Sequence, residues 1–288
     1  MEILIAKSAG FCYGVKRAIK MAKDTLHNSK MECFSLGPII HNPIVVKELE
    51  KEGLKVIDKV NDIEKGILVI RSHGISKEES QYLSKKTDIS VVDTTCPFVT
   101  KSKKFLERLN KGGYKIFFLG DKNHPEVKGL LSYIDNNAIV FKDPEEIEIK
   151  GYKKVGVISQ TTQKIDLLKK AVEKLLPFTE ELRVFNTICK TTSVRQKEAI
   201  ELAKKVDLML VLGGKNSANT KKLYEVCKSV LDRSYHIESA YEIDRSWLIN
   251  TEKIGITAGA STPKEHILEV VKFLTDILAE EKDGRRKV

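Results

Sequence analysis

Short apolar runs alternate along the chain with longer segments in which apolar residues recur every three or four positions. The short runs predict β-strands over residues 2–6, 32–36, 67–71, 90–93, 115–119, 155–159, 183–186, 208–212 and 254–257. The longer segments place their apolar residues on one face and predict helices over residues 14–27, 43–52, 76–86, 97–110, 163–176, 193–206, 219–230 and 263–280. Alternation of this kind indicates an α/β fold with mainly parallel sheets.

Three cysteines mark an internal repeat in this pattern. Cys12, Cys96 and Cys189 each stand where a predicted strand gives way to a predicted helix, and about a third of the chain separates each from the next. Two further polar loops follow each cysteine at the ends of later strands. The first set comprises residues 37–42, 120–126 and 213–219, and the second comprises residues 71–74, 159–162 and 258–262. This register predicts three similar lobes.

The repeat also predicts the division of the chain into domains. We expect a first lobe over residues 1–96 with its N-terminal strand near the centre, a second over 97–190, and a third over 191–288 with a C-terminal tail. Ligands of parallel α/β sheets bind beyond the carboxyl ends of the strands, which is where the polar loops lie. Equivalent loops of three lobes would meet at a central pseudo-threefold site.

The composition narrows the class of protein. The 288 residues contain no apolar run long enough for a membrane span and no secretory signal pattern. The five cysteines are odd in number and form no CxxC pair, which argues against a disulfide framework and predicts a cytoplasmic protein. The net charge of +10 admits nucleic acid, an anionic substrate or an acidic partner protein. The lysines are spread over the chain without a nucleic-acid-binding signature, so we expect no nucleic-acid partner.

The repeated cysteines indicate a metal centre. Cys33 and Cys227 lie in apolar segments and are interpreted as small buried hydrophobic residues. The other three lie beside helix starts, where the helix dipole favours a thiolate. Three thiolates suit either an iron–sulfur cluster, in which a cubane would keep one iron open to substrate, or zinc, which would take a fourth ligand from His or Cys.

The remaining polar loops are rich in hydrogen-bond donors. Their side chains suit a di- or triphosphate better than a neutral ligand, and they belong to His41, His73, His124, Thr161, Thr162, Ser217, Asn219 and Ser261. Glu126 is the one acid among the register-matched positions, which makes it a candidate proton donor. The alternative is an ordinary carboxylate at a helix start.

The motifs in these loops resemble those of one enzyme family over essentially the whole chain. They are Gly10-Phe11-Cys12-Tyr13-Gly14-Val15, Gly37-Pro38-Ile39-Ile40-His41-Asn42, Arg71-Ser72-His73-Gly74, Asp93-Thr94-Thr95-Cys96-Pro97, Gly120-Asp121-Lys122-Asn123-His124-Pro125-Glu126, Gln160-Thr161-Thr162 and Gly259-Ala260-Ser261. The chain resembles the 4-hydroxy-3-methylbut-2-enyl diphosphate reductases of the methylerythritol phosphate isoprenoid route. The resemblance implies a trefoil of three α/β lobes around one [4Fe–4S] cluster. It also implies reductive dehydroxylation of (E)-4-hydroxy-3-methylbut-2-enyl diphosphate to isopentenyl and dimethylallyl diphosphates with two electrons and two protons.

The resemblance also implies roles for individual residues. Cys12, Cys96 and Cys189 would hold the cluster. The substrate would be bound by His41, His73, His124, Thr161, Thr192, Ser217, Ala218, Asn219 and Ser261. Glu126 would deliver protons, with Thr161 and His124 as the other catalytic residues. Ala218 departs from the family pattern, which often has a second serine at that position.

Other functions compatible with the residues are a zinc-dependent phosphate-ester hydrolase and a non-catalytic module that binds phosphate or nucleic acid. The hydrolase would use the same three cysteines with His124. For the reductase, we expect reduced ferredoxin or flavodoxin as the electron donor, since both are acidic proteins and the chain is basic.

Overall fold

A computed structural model describes residues 1–285 of the chain; residues 286 and 287 of the basic tail lie outside this range. The strands are β1 (Glu2–Ile5), β2 (Cys33–Leu36), β3 (Leu54–Ile57), β4 (Gly66–Ile70), β5 (Ile89–Asp93), β6 (Lys115–Leu119), β7 (Ile139–Phe141), β8 (Tyr152–Ser159), β9 (Thr179–Phe185), β10 (Leu208–Leu212), β11 (Ser234–Ile237) and β12 (Lys253–Ala258). The helices are α1 (Tyr13–Asn28), α2 (Pro43–Lys51), α3 (Lys77–Leu83), α4 (Pro97–Lys111), α5 (Pro125–Ser132), α6 (Ile165–Leu175), α7 (Lys190–Ala203), α8 (Ala218–Lys228) and α9 (Lys264–Arg285). No helix among the described residues is long and apolar enough to cross a membrane.

Four elements were missed by the sequence pattern. Strands β3, β7 and β11 have three or four residues each and lie at the outer edge of their sheets, so they carry too few residues for a periodic signal. Helix α5 has eight residues and contains Gly129, a weak helix former that breaks the pattern. The nine strands and eight helices that the sequence predicts are all present, with shifts at their ends.

The strands form three four-stranded sheets, and every strand pair is parallel. The strand orders are β3-β2-β4-β5, β7-β6-β8-β9 and β11-β10-β12-β1. In each sheet, the strand that precedes a repeated cysteine lies at one edge, and the strands that precede the two polar loops lie in the middle. The α/β class and the three similar lobes that the sequence predicts are therefore confirmed.

The chain divides into two units, each with its own sheets. The two-lobed unit comprises residues 13–40 and 44–189 and contains the sheets from β2 to β9. The one-lobed unit comprises residues 1–12, 41–43 and 190 onward and contains the sheet of β1 and β10 to β12.

The structure differs from the sequence-based division in the position of the first strand. The sequence assigns residues 1–12 to the first lobe, whereas β1 pairs with β12 through Glu2 with Lys253 and Ile5 with Ile256. In the other two sheets the strand before the cysteine is the last of its lobe. The third lobe has no such strand after β12, so the N-terminal strand takes that edge.

Two glycines in strands let α4 and α7, the helices that follow Cys96 and Cys189, pack closely against a sheet. A Cβ atom added at Gly156 of β8 would lie 2.6 Å from Cδ2 and 3.1 Å from Cγ of Leu109, which is fully buried on α4. At the equivalent Gly255 of β12, a Cβ would lie 2.3 Å from Met209 Sδ on β10 and 3.1 Å from Leu202 Cγ on α7. Close packing of α4 and α7 thus depends on glycine in the strand.

We predict that Gly156→Val destabilises the protein by about 1–3 kcal/mol, because the added side chain overpacks a filled core. Gly151→Val is the matched control, since a Cβ at Gly151 meets nothing within 4 Å. Its effect should stay within about 0.5 kcal/mol. Urea unfolding measures both free energies, and equal values for the two variants would contradict the packing argument.

Candidate active site

The three repeated cysteines occupy the same local position in their lobes. Cys96 is the N-cap residue of α4, and α1 and α7 begin directly after Cys12 and Cys189. None of the three forms a disulfide, and all are partly exposed. A thiol beside the first turn of a helix lies where the backbone N–H groups favour negative charge.

Each of these cysteines is held by the same backbone hydrogen bond. Its N–H donates to a carbonyl in the polar loop after the neighbouring strand of the sheet. The acceptors are Ser72 for Cys96, Thr161 for Cys189 and Ala260 for Cys12, at N···O distances of 2.9, 2.9 and 3.0 Å. The repeat that the sequence shows in residue types therefore extends to the hydrogen bonds of the backbone.

The two remaining cysteines are more deeply buried. Cys33 on β2 is 3% exposed and Cys227 on α8 is fully buried. Burial raises the pKa of the Cys33 thiol and raises that of Cys227 to about 12. Both thiols stay protonated near neutral pH, which confirms their interpretation as small hydrophobic residues and leaves three cysteines suited to metal binding.

The donor set fits an iron–sulfur cluster with three protein ligands. Clusters of this kind take thiolate ligands, and the chain offers partly exposed cysteines outside any disulfide at three equivalent helix starts. The same thiols would also fit zinc if a fourth ligand joined them.

Glu126 is a buried acid held by one residue. It lies in the first turn of α5 and is 1% exposed. Thr161 donates its backbone N–H to Oε1 at 2.8 Å and its hydroxyl to Oε2 at 2.7 Å. Burial raises the pKa of the Glu126 carboxyl to about 6, and the two hydrogen bonds from Thr161 partly oppose that rise.

The contact between Glu126 and Thr161 follows from the sheet. Strands β6 and β8 are neighbours, with Leu119 opposite Ser159 at their carboxyl ends. The loops that follow them, residues 120–126 and 160–162, therefore emerge side by side.

Two histidines of the two-lobed unit lie close together. The ring centroids of His73 and His124 are 5.7 Å apart, with the ring planes at 77°. His124 caps α5, and its Nδ1 accepts the backbone N–H of Glu126 at 3.2 Å. In the neutral ring the proton is therefore on Nε2, which can donate to an anion.

Other predicted site residues lie together in the one-lobed unit. The Ser261 hydroxyl donates to the His41 carbonyl at 3.1 Å, and the Asn42 side chain donates to the Ser261 carbonyl at 2.8 Å. Ser217 is 4% exposed and caps α8, where its hydroxyl accepts the N–H of Thr220 at 3.3 Å. These bonds fix the segment 41–43 against the loop after β12.

The side-chain amide of Asn219, on the first turn of α8, is a hydrogen-bond donor without an acceptor in the described part of the chain. Its side-chain Nδ2 is buried and has no hydrogen-bond partner within the described part of the chain. A buried amide N–H without a partner carries a substantial free-energy cost that a bound anion would remove. This observation supports an oxyanion ligand at the start of α8.

The last two predicted residues also lie at helix starts of the one-lobed unit. Thr192 is 6% exposed on the first turn of α7, and Ala218 is the first residue of α8. Ala218 offers no hydroxyl, but the N–H groups of a first helical turn have no acceptor within the helix and can bind an anion.

The predicted residues thus fall into two sets. The two-lobed unit contains Cys96, Cys189, His73, His124, Glu126 and Thr161, and the one-lobed unit contains Cys12, His41, Thr192, Ser217, Ala218, Asn219 and Ser261.

Two buried polar residues were not among the predicted site residues. Gln160 is 1% exposed, and its Oε1 accepts the N–H of Asp121 at 3.1 Å, which ties the loop before Glu126 to the loop of Thr161. Arg195 on α7 is 2% exposed and donates Nη1 to the Ala258 carbonyl at 2.5 Å. Gln160 stands within a recognised motif, whereas nothing in the sequence distinguishes Arg195 from the many exposed basic residues.

These features define an α/β protein of three similar lobes, each with a cysteine at a helix start and polar loops at its strand ends. The family model that matches, described as LytB protein, covers residues 3–275. The chain belongs to the LytB family, which confirms the resemblance found in the motifs and the expectation of an enzyme.

Relatives and solved structures with high coverage agree with this assignment. The 4-hydroxy-3-methylbut-2-enyl diphosphate reductase of Geobacter sulfurreducens is 48% identical over 96% of this chain and 98% of its own length. The protein of the same name from Geobacter metallireducens is 46% identical, with the same coverage.

Two solved structures share the fold. One, of (E)-4-hydroxy-3-methyl-but-2-enyl diphosphate reductase, is 39% identical, covers 96% of this chain and all of its own, and has a TM-score of 0.69. The other, the E-1-hydroxy-2-methyl-but-2-enyl-4-diphosphate reductase of Plasmodium falciparum, is 31% identical, with 95% and 88% coverage and a TM-score of 0.87.

We predict that Thr161→Val raises the pKa of Glu126 above its value of about 6, because the carboxylate loses its hydroxyl donor. Thr162→Val is the control, since the Thr162 side chain forms no hydrogen bond with Glu126 among the described contacts. Titration of ¹³C-labelled glutamate carboxyls by NMR would measure both. An unchanged pKa in Thr161→Val would show that the hydroxyl does not stabilise the charge.

The raised pKa also makes stability depend on pH. The Glu126 carboxyl binds its proton more tightly in the folded chain, at about 6, than at the ordinary value of 4.5. Its contribution to the free energy of unfolding is therefore full below about pH 4.5 and is lost as the pH rises through 6. In Glu126→Gln this part of the pH dependence should be absent from urea unfolding curves.

Proposed function

We propose that this chain catalyses the reductive dehydroxylation of (E)-4-hydroxy-3-methylbut-2-enyl diphosphate. The substrate takes up two electrons and two protons, loses its hydroxyl as water, and gives isopentenyl and dimethylallyl diphosphates. The observation that carries the proposal is the threefold placement of Cys12, Cys96 and Cys189. Each has the same helix start and the same backbone hydrogen bond. The names of relatives at 44–48% identity support the same reaction.

In this proposal the three cysteines hold one [4Fe–4S] cluster per chain. Bound there, such a cluster would relay electrons and would offer an iron that lacks a protein ligand. The contribution of the protein is to fix the thiols by the backbone and to keep the two other cysteines protonated and buried.

The polar loops would bind and orient the diphosphate. His41, His73 and His124 supply imidazole donors, and Ser217, Asn219 and Ser261 supply hydroxyl and amide donors. Thr192 and the backbone of Ala218 complete the proposed contacts. The buried Nδ2 of Asn219 supports this role, since an anion would give it the acceptor that it lacks.

Glu126 would act as the proton donor, with Thr161 and His124 as its partners. Departure of the hydroxyl as water needs a proton, and Glu126 is an acid whose pKa burial has already moved toward neutrality. The negative charge of a bound diphosphate would raise that pKa further and favour the protonated carboxyl. The Thr161 hydroxyl would orient the carboxyl and the substrate hydroxyl, and His124 Nε2 would donate to the diphosphate.

The two electrons would come from a reduced ferredoxin or flavodoxin in the cytoplasm. Both carriers are acidic proteins, and the net charge of +10 on this chain would speed their encounter.

We expect Ser in place of any one of the three repeated cysteines to remove colour and activity. Anaerobic purification followed by iron and acid-labile sulfide analysis measures the cluster. Cys33→Ala and Cys227→Ala are the controls, because both side chains are buried away from helix starts, and they should keep iron, sulfide and turnover. Zinc without sulfide in the native protein would instead favour a metallohydrolase that uses these thiols.

Glu126→Gln should keep the cluster and bind substrate almost normally while it loses most turnover. The amide keeps the shape of the side chain but cannot deliver a proton, and general acid catalysis contributes about 10²–10⁴-fold. Single-turnover kinetics with a chemical reductant, together with the dissociation constant for the diphosphate, separate the two effects. Turnover close to the native rate would assign the proton to another group.

A further inference from the structure

A groove on the surface of the two-lobed unit lies directly beside Cys96. It runs between α1 and α4 and has a volume of about 430 Å³. Its lining includes Arg17 of α1, Lys101 and Lys104 of α4, and also Thr95 and Pro97. Because Thr95 and Pro97 are the chain neighbours of Cys96, the groove ends one residue from a proposed cluster ligand.

The cations around this groove lack acidic partners. Lys101 and Lys104 are exposed, as are Lys16 and Lys20 on α1, and none of these four forms an ion pair within the described part of the chain. Elsewhere in the same unit, exposed lysines do find carboxylates, as in the pair of Lys77 with Asp135 at 3.0 Å. The positive charge beside Cys96 is therefore not neutralised by the protein itself.

Asp93 is the single acid among the lining residues, and its carboxylate accepts a hydrogen bond from the backbone. Asp93 Oδ1 accepts the N–H of Thr95 at 2.8 Å. Arg17 donates to the Thr95 carbonyl at 3.3 Å and to the Asp93 carbonyl at 3.5 Å. The guanidinium thus rests on the segment that leads into Cys96.

An exposed aromatic ring stands at the same side of α1. Tyr13 is 66% exposed and lies one helical turn before Arg17, so Tyr13, Lys16, Arg17 and Lys20 share one face of the helix. Tyr and Arg are enriched at protein–protein interfaces, where they contribute much of the binding energy.

We propose that this groove and its rim are the docking surface for an acidic electron-carrier protein. The inference rests on the proposed function, because a reductase without an internal electron source must receive electrons from outside. Cations without acidic partners on two helices complement an acidic protein surface. The lining residues Thr95 and Pro97 give a short covalent path to the sulfur of Cys96. Nucleic acid is less well matched, since the cations surround one confined groove instead of forming a track along a backbone.

The test reverses the charge of two lysines at this surface and of two on the same lobe away from it. The first variant is Lys101→Glu/Lys104→Glu. The control is Lys111→Glu/Lys115→Glu, at the other end of α4 and the start of β6, about 20 Å along the helix from Cys96 at 1.5 Å per residue. All four lysines are exposed and belong to none of the proposed ligand sets.

Turnover would be measured with two reductants: a reduced acidic bacterial ferredoxin, and dithionite with methyl viologen. We expect Lys101→Glu/Lys104→Glu to lower kcat/KM for ferredoxin by about tenfold or more at low salt, with the difference shrinking as salt rises. Activity with dithionite and methyl viologen should match that of the native protein. The control double variant should lose less than about threefold with either reductant at about 0.1 M salt, because its charges lie outside the groove and the Debye length is then only about 10 Å.

Equal losses in the two double variants would overturn the proposal, because the effect would then be one of total charge. Equal losses with both reductants would also overturn it, because the lysines would then act on the site and not on docking. A native protein that binds RNA in a gel shift, loses that binding in Lys101→Glu/Lys104→Glu and keeps its ferredoxin kinetics would assign the groove to nucleic acid. If the native protein reduces no substrate with dithionite, the proposed function fails, independently of the docking surface.

Discussion

The backbone hydrogen bond from each repeated cysteine to the loop of the neighbouring strand is the constraint on which the site depends. The side chain at a helix start moves with the chain that enters the helix, and the bond to Ser72, Thr161 or Ala260 fixes that chain against its own sheet. Parallel strands bring their carboxyl ends to one edge, so this bond is available in every lobe. Each thiol is thereby held by its own sheet. In two of the three cases, α4 and α7, the helix that follows the cysteine packs on the sheet of the next lobe.

The second constraint is the balance of forces on Glu126. Removal of the carboxyl from water disfavours its charge, and two donors from Thr161 favour it. Burial is the larger effect, since the pKa rises to about 6. A carboxyl in this position is poised to change its protonation state when a further negative charge arrives, which an exposed carboxylate with an ordinary pKa would not do.

The sequence predicted the elements that carry the site because those elements repeat and are strongly patterned. The cysteine register, the loops at strand ends and the burial of Cys33 and Cys227 could all be inferred from residue types. The short edge strands β3, β7 and β11 could not, since three or four residues carry too little periodicity. The contact of Glu126 with Thr161, 35 residues apart, depends on the adjacency of β6 and β8, which periodicity does not encode. Arg195 was missed because burial of a cation is a property of packing and not of local pattern.

The position of β1 joins two segments that are far apart in the order of synthesis. Ile3 pairs with Ile254, and the N–H of Cys12 finds its acceptor at Ala260, so β1 has no partner until about 250 further residues have been made. At about 5–20 residues per second, that interval is roughly 12–50 s. The first two sheets can form during this time from strands that are already present. The last sheet, and with it the fixed position of Cys12, can be completed only after β12 and the loop that follows it have been made.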